Sequence, residues 1–276
     1  MRSRTRSYIA EIRAFNCLMA AFASLIGVFV SKAPLAYDVI APAVLAFIAV
    51  FFVTAGGNVI NDYFDVDIDR TNKPLRALPS GLIERRSALV YALGLLLFGV
   101  VASLFINPVC SGLAALNAVL LVLYSWKLKR AVLIGNLVIG YLTGSIFLFG
   151  GAAVYSFFIP SVLFVSAMLA ITSREVVKDV EDVVGDRRAG ASTLPIRYGV
   201  PRSLAAAALF MLAAVAVSPL PFIIGASGYP YLGIVIAADV ILLYGVALSR
   251  SDPARASTVI KYGMAVVLLA YVVGGI

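Results

Sequence analysis

Apolar positions along this chain come in unbroken runs, not in alternation. Each run is close to the ~20 residues that cross hydrocarbon as a helix. The pattern predicts nine spans: Phe15–Val30, Val39–Ile60, Ala88–Ile106, Val109–Trp126, Val132–Gly151, Phe157–Val176, Ser203–Phe222, Tyr231–Leu248 and Val259–Gly275. Backbone groups in lipid must pair within the segment or in a closed barrel, and uniform rather than alternating apolarity excludes the barrel. Most connections are short, as between antiparallel neighbours. Two are long, Asn61–Ser87 and Val177–Arg202. The expectation is an all-α, polytopic membrane protein forming a single domain, 1–276, with no hydrophilic domain appended.

Composition agrees: 62% of residues are hydrophobic and 13% charged, with a mean hydropathy of +1.01. Charge adds an orientation. With the N-terminus in the cytoplasm, one side receives Arg2, Arg4, Arg6, Arg13, the bases of both long loops, Lys127, Lys129, Arg130, Arg250, Arg255 and Lys261, and the other only Lys32. Such asymmetry is the positive-inside signature. The net charge of +8 then sits on one face, where it suits anionic membrane lipids; no nucleic-acid partner is expected. The arginine-rich start reads as the flank of a retained first helix, not as a cleaved signal. Cys17 and Cys110 have no metal or disulfide spacing and read as packing residues.

The chain contains no histidine. That excludes Ser-His hydrolysis, His-ligated haem and the usual zinc sites. Any metal must be a hard cation held by oxygen, chiefly magnesium.

Two stretches hold most of the acids. In "GGNVINDYFDVDIDRTNKPLRALPSG" (56–81), Asn61, Asp65 and Asp69 recur every four residues. If the second span continues as a helix they form one stripe. Asp62 lies ~20° from Asp69 on the helical wheel, and Asp67 points away. A calcium loop would need Gly and Glu where Arg70 and Arg76 stand. In "SREVVKDVEDVVGDRRAGASTLPIRYG" (173–199), Asp182 and Asp186 are four apart, with Glu175 and Asp179 near the same face and Lys178 one turn before Asp182. Each stretch closes a span and is followed by a basic loop containing Gly and Pro, so the halves look like a pseudo-repeat. Surface ion pairing would account for one such stripe. Two on one membrane face point to two Mg²⁺ ions bridged by a diphosphate, with Lys and Arg taking up the remaining phosphate charge. Apolar helices beside them give room for a lipid tail.

These residues resemble a known family. "NDYFDVDIDR" followed by "NKPLRALPSG", "DVVGDRRAGASTLP" and "YSWKLKR" (124–130) are similar to three recurring elements of the UbiA superfamily of intramembrane prenyltransferases. The run "REVVKDVEDVVGDRRAGASTLPI" is similar, within that superfamily, to archaeal digeranylgeranylglyceryl phosphate synthases. Ala77 departs from the commoner Pro. The resemblance implies nine transmembrane helices around a central intramembrane cavity and a Mg²⁺-dependent transfer of a geranylgeranyl group from geranylgeranyl diphosphate to a lipid-phosphate acceptor. It implies that Asn61, Asp65 and Asp69 hold one ion and Asp182 and Asp186 the other. Arg13, Lys73, Arg76 and Lys127 would grip the diphosphate. Asn16 and Lys178 would serve the acceptor, and Tyr124 would face the allylic carbon, where an aromatic ring stabilises positive charge. By position alone Tyr124 is equally an interfacial anchor beside Trp126.

Three rivals remain open at this point. The first is a UbiA-type enzyme with an aromatic or tetrapyrrole acceptor. The second is a CDP-alcohol phosphotransferase, whose D-G-x-x-A-R string is not found here. The third is a proton-coupled transporter using Asp239, the one acid deep in a span. Such a site belongs at the midplane, whereas the acids here cluster at one surface. Asp239 reads as a hydrogen-bonded structural acid, and Asn117 as a span amide that needs a polar partner.

Overall fold

The computed structural model describes residues 4–31, 37–188 and 190–275. Arg2 and Lys32 of the charge count lie outside them. The described residues are helical with no strand. In order, α1 is Arg4–Glu11, α2 Ala14–Phe29, α3 Tyr37–Asn72, α4 Arg85–Leu104, α5 Pro108–Trp126, α6 Ile134–Ala153 and α7 Phe158–Glu181. Then come α8 Val183–Arg188, α9 Leu194–Tyr198, α10 Val200–Val217, α11 Leu220–Ile223, α12 Tyr229–Leu248 and α13 Pro253–Gly275.

Eight segments among the described residues are long and apolar enough to cross a membrane. The ninth expected span, Phe15–Val30, is the 16-residue helix α2, shorter than hydrocarbon requires of a straight helix. Its start is fixed by a break that the apolar pattern does not reveal. The chain turns at Ile12–Arg13 with Arg13 at φ +52°, so α1 and α2 are separate helices.

The helix of the second span continues beyond Ile60, as the stripe of acids requires. It runs through the acidic motif to Asn72, 36 residues in all, or about 54 Å at 1.5 Å per residue. Hydrocarbon takes up ~30 Å of that, so the surplus turns carry the motif past the apolar layer. The remaining loop is compact. Arg76 N–H donates to the Lys73 carbonyl, Ser80 N–H to that of Arg76 and Ile83 N–H to that of Ala77. Gly81 takes φ +78°, a conformation only glycine adopts cheaply. In the same way α7 continues to Glu181, and α8 and α9 lie within the second connection.

Two compact units divide the chain. Unit 1 comprises 1–28, 33–127 and 149–156; α3 packs on α4 and α5, and α1 lies on α3. Glycine sets the α3–α4 approach: a methyl added at Gly99 would stand 2.8 Å from the Ala49 carbonyl oxygen, closer than packed atoms allow. Val59, Ile60, Val66, Leu78, Ile83 and Ala92 form the core beside the motif. Unit 2 comprises 29–32, 128–148 and 157–276; α7 packs on α10 and α13, and α12 on α13. Val176, Val177, Ala207, Met211 and Ile260 fill its core. Large apolar side chains such as Leu97 in unit 1 and Leu209 in unit 2 are more than 60% exposed, as suits helices facing lipid. Both cysteines are buried and free.

Candidate active site

In unit 1 the candidate residues lie at the end of α3. Helix continuation puts Asn58, Asn61, Asp62, Asp65 and Asp69 on one side. Asn61 Nδ2 donates to Asp65 Oδ2 over 3.1 Å. Asp62 and Asp69 are turned to the protein's own cations. Arg13 donates to Asp62 Oδ1 over 2.5 Å. Arg76 Nη1 bridges Asp62 Oδ1 at 3.0 Å and Asp69 Oδ2 at 2.9 Å. Lys73 Nζ lies 3.9 Å from Asp69 Oδ1. Both carboxylates are buried, with side-chain exposures of 3% and 7%. Buried charge is tolerable only when paired in this way. Asp67 faces out, with the exposed Arg70 at 3.1 Å and Arg85 at 3.5 Å, as the helical register predicts.

The turn between α1 and α2 serves the same place. The Ile12 carbonyl accepts from Asn58 Nδ2 at 2.9 Å and from the Cys17 thiol. Asn58 precedes Asp62 by one turn. With Ile12 pinned there, the left-handed backbone at Arg13 delivers its side chain to Asp62. Asn16 N–H bonds the Arg13 carbonyl at 2.8 Å and its side chain is exposed.

Glu11 is the residue the sequence reading missed. It ends α1 and is buried, accepting the Leu78 N–H at 3.1 Å. Burial pushes its carboxyl up to about 7, aided by its hydrogen bond to Asp62 and the repulsion between the two, and opposed by the Leu78 N–H and Arg76. The available signal was one acid among four arginines ahead of an apolar run.

At the end of α5, Tyr124 is half-buried and Lys127 exposed, its N–H bonded to the Leu123 carbonyl at 2.9 Å.

In unit 2 the second acid set straddles a break. Asp182 caps α7, and α8 resumes at Val183. The one-turn register survives because Asp186 N–H donates to the Asp182 carbonyl at 2.9 Å. Asp186 is held above the ordinary carboxylate range by burial and then by Asp182, with Lys178 opposing. Two acids that repel across one turn favour a cation between them. Deeper on α7, Asp179 accepts from Asn136 Nδ2 of α6 at 2.9 Å, and Glu175 pairs with Arg174 at 2.8 Å. Lys178 is exposed. Asp239 accepts from Ser218 Oγ at 2.6 Å, and Tyr231 donates to the Ser218 carbonyl, an arrangement that suits a structural acid.

The donor set fits magnesium. It offers carboxylate and amide oxygens, with no softer ligand among the residues named. No three acidic or thiol side chains among the described residues converge on one point. Mg²⁺ commonly takes one or two carboxylates and fills its other positions with water and substrate phosphate.

The chain is similar to known proteins over nearly its whole length. The chain is 47% identical to the digeranylgeranylglyceryl phosphate synthase of Methanopyrus kandleri, over 96% of this chain and 98% of that one. It is 42% identical to the one from Methanocaldococcus jannaschii, over 99% and 97%. A solved structure of a digeranylgeranylglyceryl phosphate synthase superposes with a TM-score of 0.90 at 42% identity, covering 99% of this chain and 98% of that one. A UbiA homologue from Archaeoglobus fulgidus, solved with GPP and Mg²⁺, shares the fold at a TM-score of 0.75 and 17% identity, over 96% and 98%. The model of the UbiA prenyltransferase family matches residues 18–269, and the chain belongs to that family.

Proposed function

We propose that the chain transfers a geranylgeranyl group from geranylgeranyl diphosphate to the free hydroxyl of geranylgeranylglyceryl phosphate, making the second ether of an archaeal membrane lipid. The observation that carries this is the polar stripe of α3. Oxygen donors Asn61 and Asp65 stand beside guanidinium groups on Asp62 and Asp69, at the end of a helix too long for the membrane. Full-length relatives named for this reaction support the choice of acceptor.

Asn61 and Asp65, with Asp69 directly or through water, would hold one Mg²⁺, and Asp182 and Asp186 a second. When bound, the ions draw negative charge onto the departing diphosphate. Arg13, Lys73, Arg76 and Lys127 bind phosphate oxygens. Arg13 and Arg76 already stand at the acid stripe, so the diphosphate meets positive charge fixed in advance, which is the main source of rate in this chemistry. The C1–O bond breaks as the acceptor oxygen bonds C1, and the hydroxyl proton is lost. Tyr124 faces the allylic carbon, and apolar helices keep out the water that would hydrolyse it. Asn16 and Lys178 orient the acceptor. The family match across both units supports one catalytic domain. The charge asymmetry supports a cytoplasmic N-terminus and a site opening to the cytoplasm.

The test is to incubate purified protein with both substrates and Mg²⁺ and follow the ether product by mass spectrometry. Product is expected, lost with EDTA and restored by Mg²⁺. Its absence would reject the assignment.

A further inference from the structure

Burying a carboxyl costs free energy that a similar-sized apolar side chain would not incur. Glu11 is nonetheless only 5% exposed. What offsets the cost is informative. Glu11 accepts the Leu78 N–H at 3.1 Å, and Asp62 and Arg76 lie close enough to act on its charge. None belongs to α1, and all belong to α3 or to the loop after it. Leu78 lies two residues beyond Arg76, in a loop whose turns are tied backbone to backbone at Arg76, Ala77 and Leu78. A bond at the Leu78 amide therefore fixes where the Arg76 side chain starts. Arg76 in turn joins Asp62 to Asp69.

We propose that Glu11 is a positioning residue for the diphosphate end of the site. By accepting the Leu78 N–H it holds the loop that carries Arg76, and through Arg76 it sets the geometry offered to the substrate's phosphates. The inference rests on the reaction proposed above. Glu11 does not touch substrate; its effect passes through one arginine. Methionine at this position keeps the bulk and removes the acceptor. Glutamine keeps an acceptor for Leu78 and can donate to Asp62.

The experiment uses the full chain in detergent with Mg²⁺ and titrates geranylgeranyl diphosphate by calorimetry, alongside steady-state kinetics with each substrate varied. Glu11→Met should raise the Kd and KM for geranylgeranyl diphosphate about tenfold, the low end for residues acting one step behind a ligand. The acceptor KM should stay within about twofold. Glu11→Gln should restore binding to within about twofold of wild type. In an Arg76→Ala background, Glu11→Met should weaken binding no further, because residues acting through one another are non-additive. Four results overturn the proposal: unchanged diphosphate binding in Glu11→Met, equal loss for both substrates, full additivity with Arg76→Ala, or failure of both Glu11 variants to accumulate as folded protein. Failure of the wild-type chain to bind geranylgeranyl diphosphate would overturn the functional reading and this inference with it. Normal wild-type binding with unaffected variants would overturn this inference alone.

Discussion

Arg76 Nη1 sits 3.0 Å from Asp62 Oδ1, and the same nitrogen reaches Asp69 at 2.9 Å. The guanidinium holds two buried carboxylates together while keeping one face, with a side-chain exposure of 31%, open to solvent. Arg76→Ala should therefore harm both folding and binding. Stripping the partner from a fully buried charge costs ~3–5 kcal/mol. Partial exposure and the remaining Arg13 pair reduce that here to about 2 kcal/mol. Adding Asp62→Asn to Arg76→Ala should recover thermal stability in detergent without recovering diphosphate affinity. Recovery of both would remove Arg76 from the substrate.

Asp65→Asn should lower turnover by a factor of about 100 or more, because a hard cation loses a charged ligand. Asp67→Ala should stay within about threefold of wild type, since Asp67 is 64% exposed and meets only exposed arginines. Similar losses in the two variants would show that the segment wraps an ion as a loop and that the α3 register is wrong.

Glu11 makes stability depend on pH. Its carboxyl is raised from 4.5 to about 7, so between those values the folded chain binds a proton that the unfolded chain has lost. Stability must then fall as pH rises through that window. The groups facing Glu11 are Asp62 and Arg76. Without added metal, the melting temperature of Glu11→Gln should gain on wild type from about pH 4.5 to 7 and hold that gain above it. A constant difference across the range would contradict the shift.

Lys178 is exposed one turn before Asp182 and opposes the raised pKa of Asp186. If it serves the acceptor phosphate, Lys178→Met should raise the acceptor KM about tenfold or more. That corresponds to the ~1.5–3 kcal/mol of a hydrogen bond to a charged group. The KM for geranylgeranyl diphosphate should barely move. Equal loss for both would assign Lys178 to the diphosphate.

What could be read in advance was whatever depends on local periodicity. The helical class, the one-turn spacing of Asn61 and Asp65, and the outward turn of Asp67 all follow from 100° per residue. Helix ends were harder. An apolar run marks where hydrocarbon ends, not where the helix does; the stripe of Asn61, Asp65 and Asp69 signals that α3 goes on past Ile60, and its end at Asn72 is what the pattern does not give. The pairing of Asp62 with Arg13 spans 49 residues of sequence. It depends on a turn at a non-glycine left-handed residue, which no spacing rule announces. Glu11 stands out in the sequence only as one acid among the N-terminal arginines, because its partners come from α3 and the following loop.

The acceptor proposed for this chain is a phosphorylated lipid alcohol. Purified protein should be given geranylgeranyl diphosphate, Mg²⁺ and an equimolar mixture of geranylgeranylglyceryl phosphate and geranylgeranylglycerol, with products resolved by mass spectrometry. The account predicts ether formation almost wholly on the phosphorylated acceptor. Equal use of the phosphate-free alcohol, or prenylation of an added aromatic acid in preference to both, would contradict it.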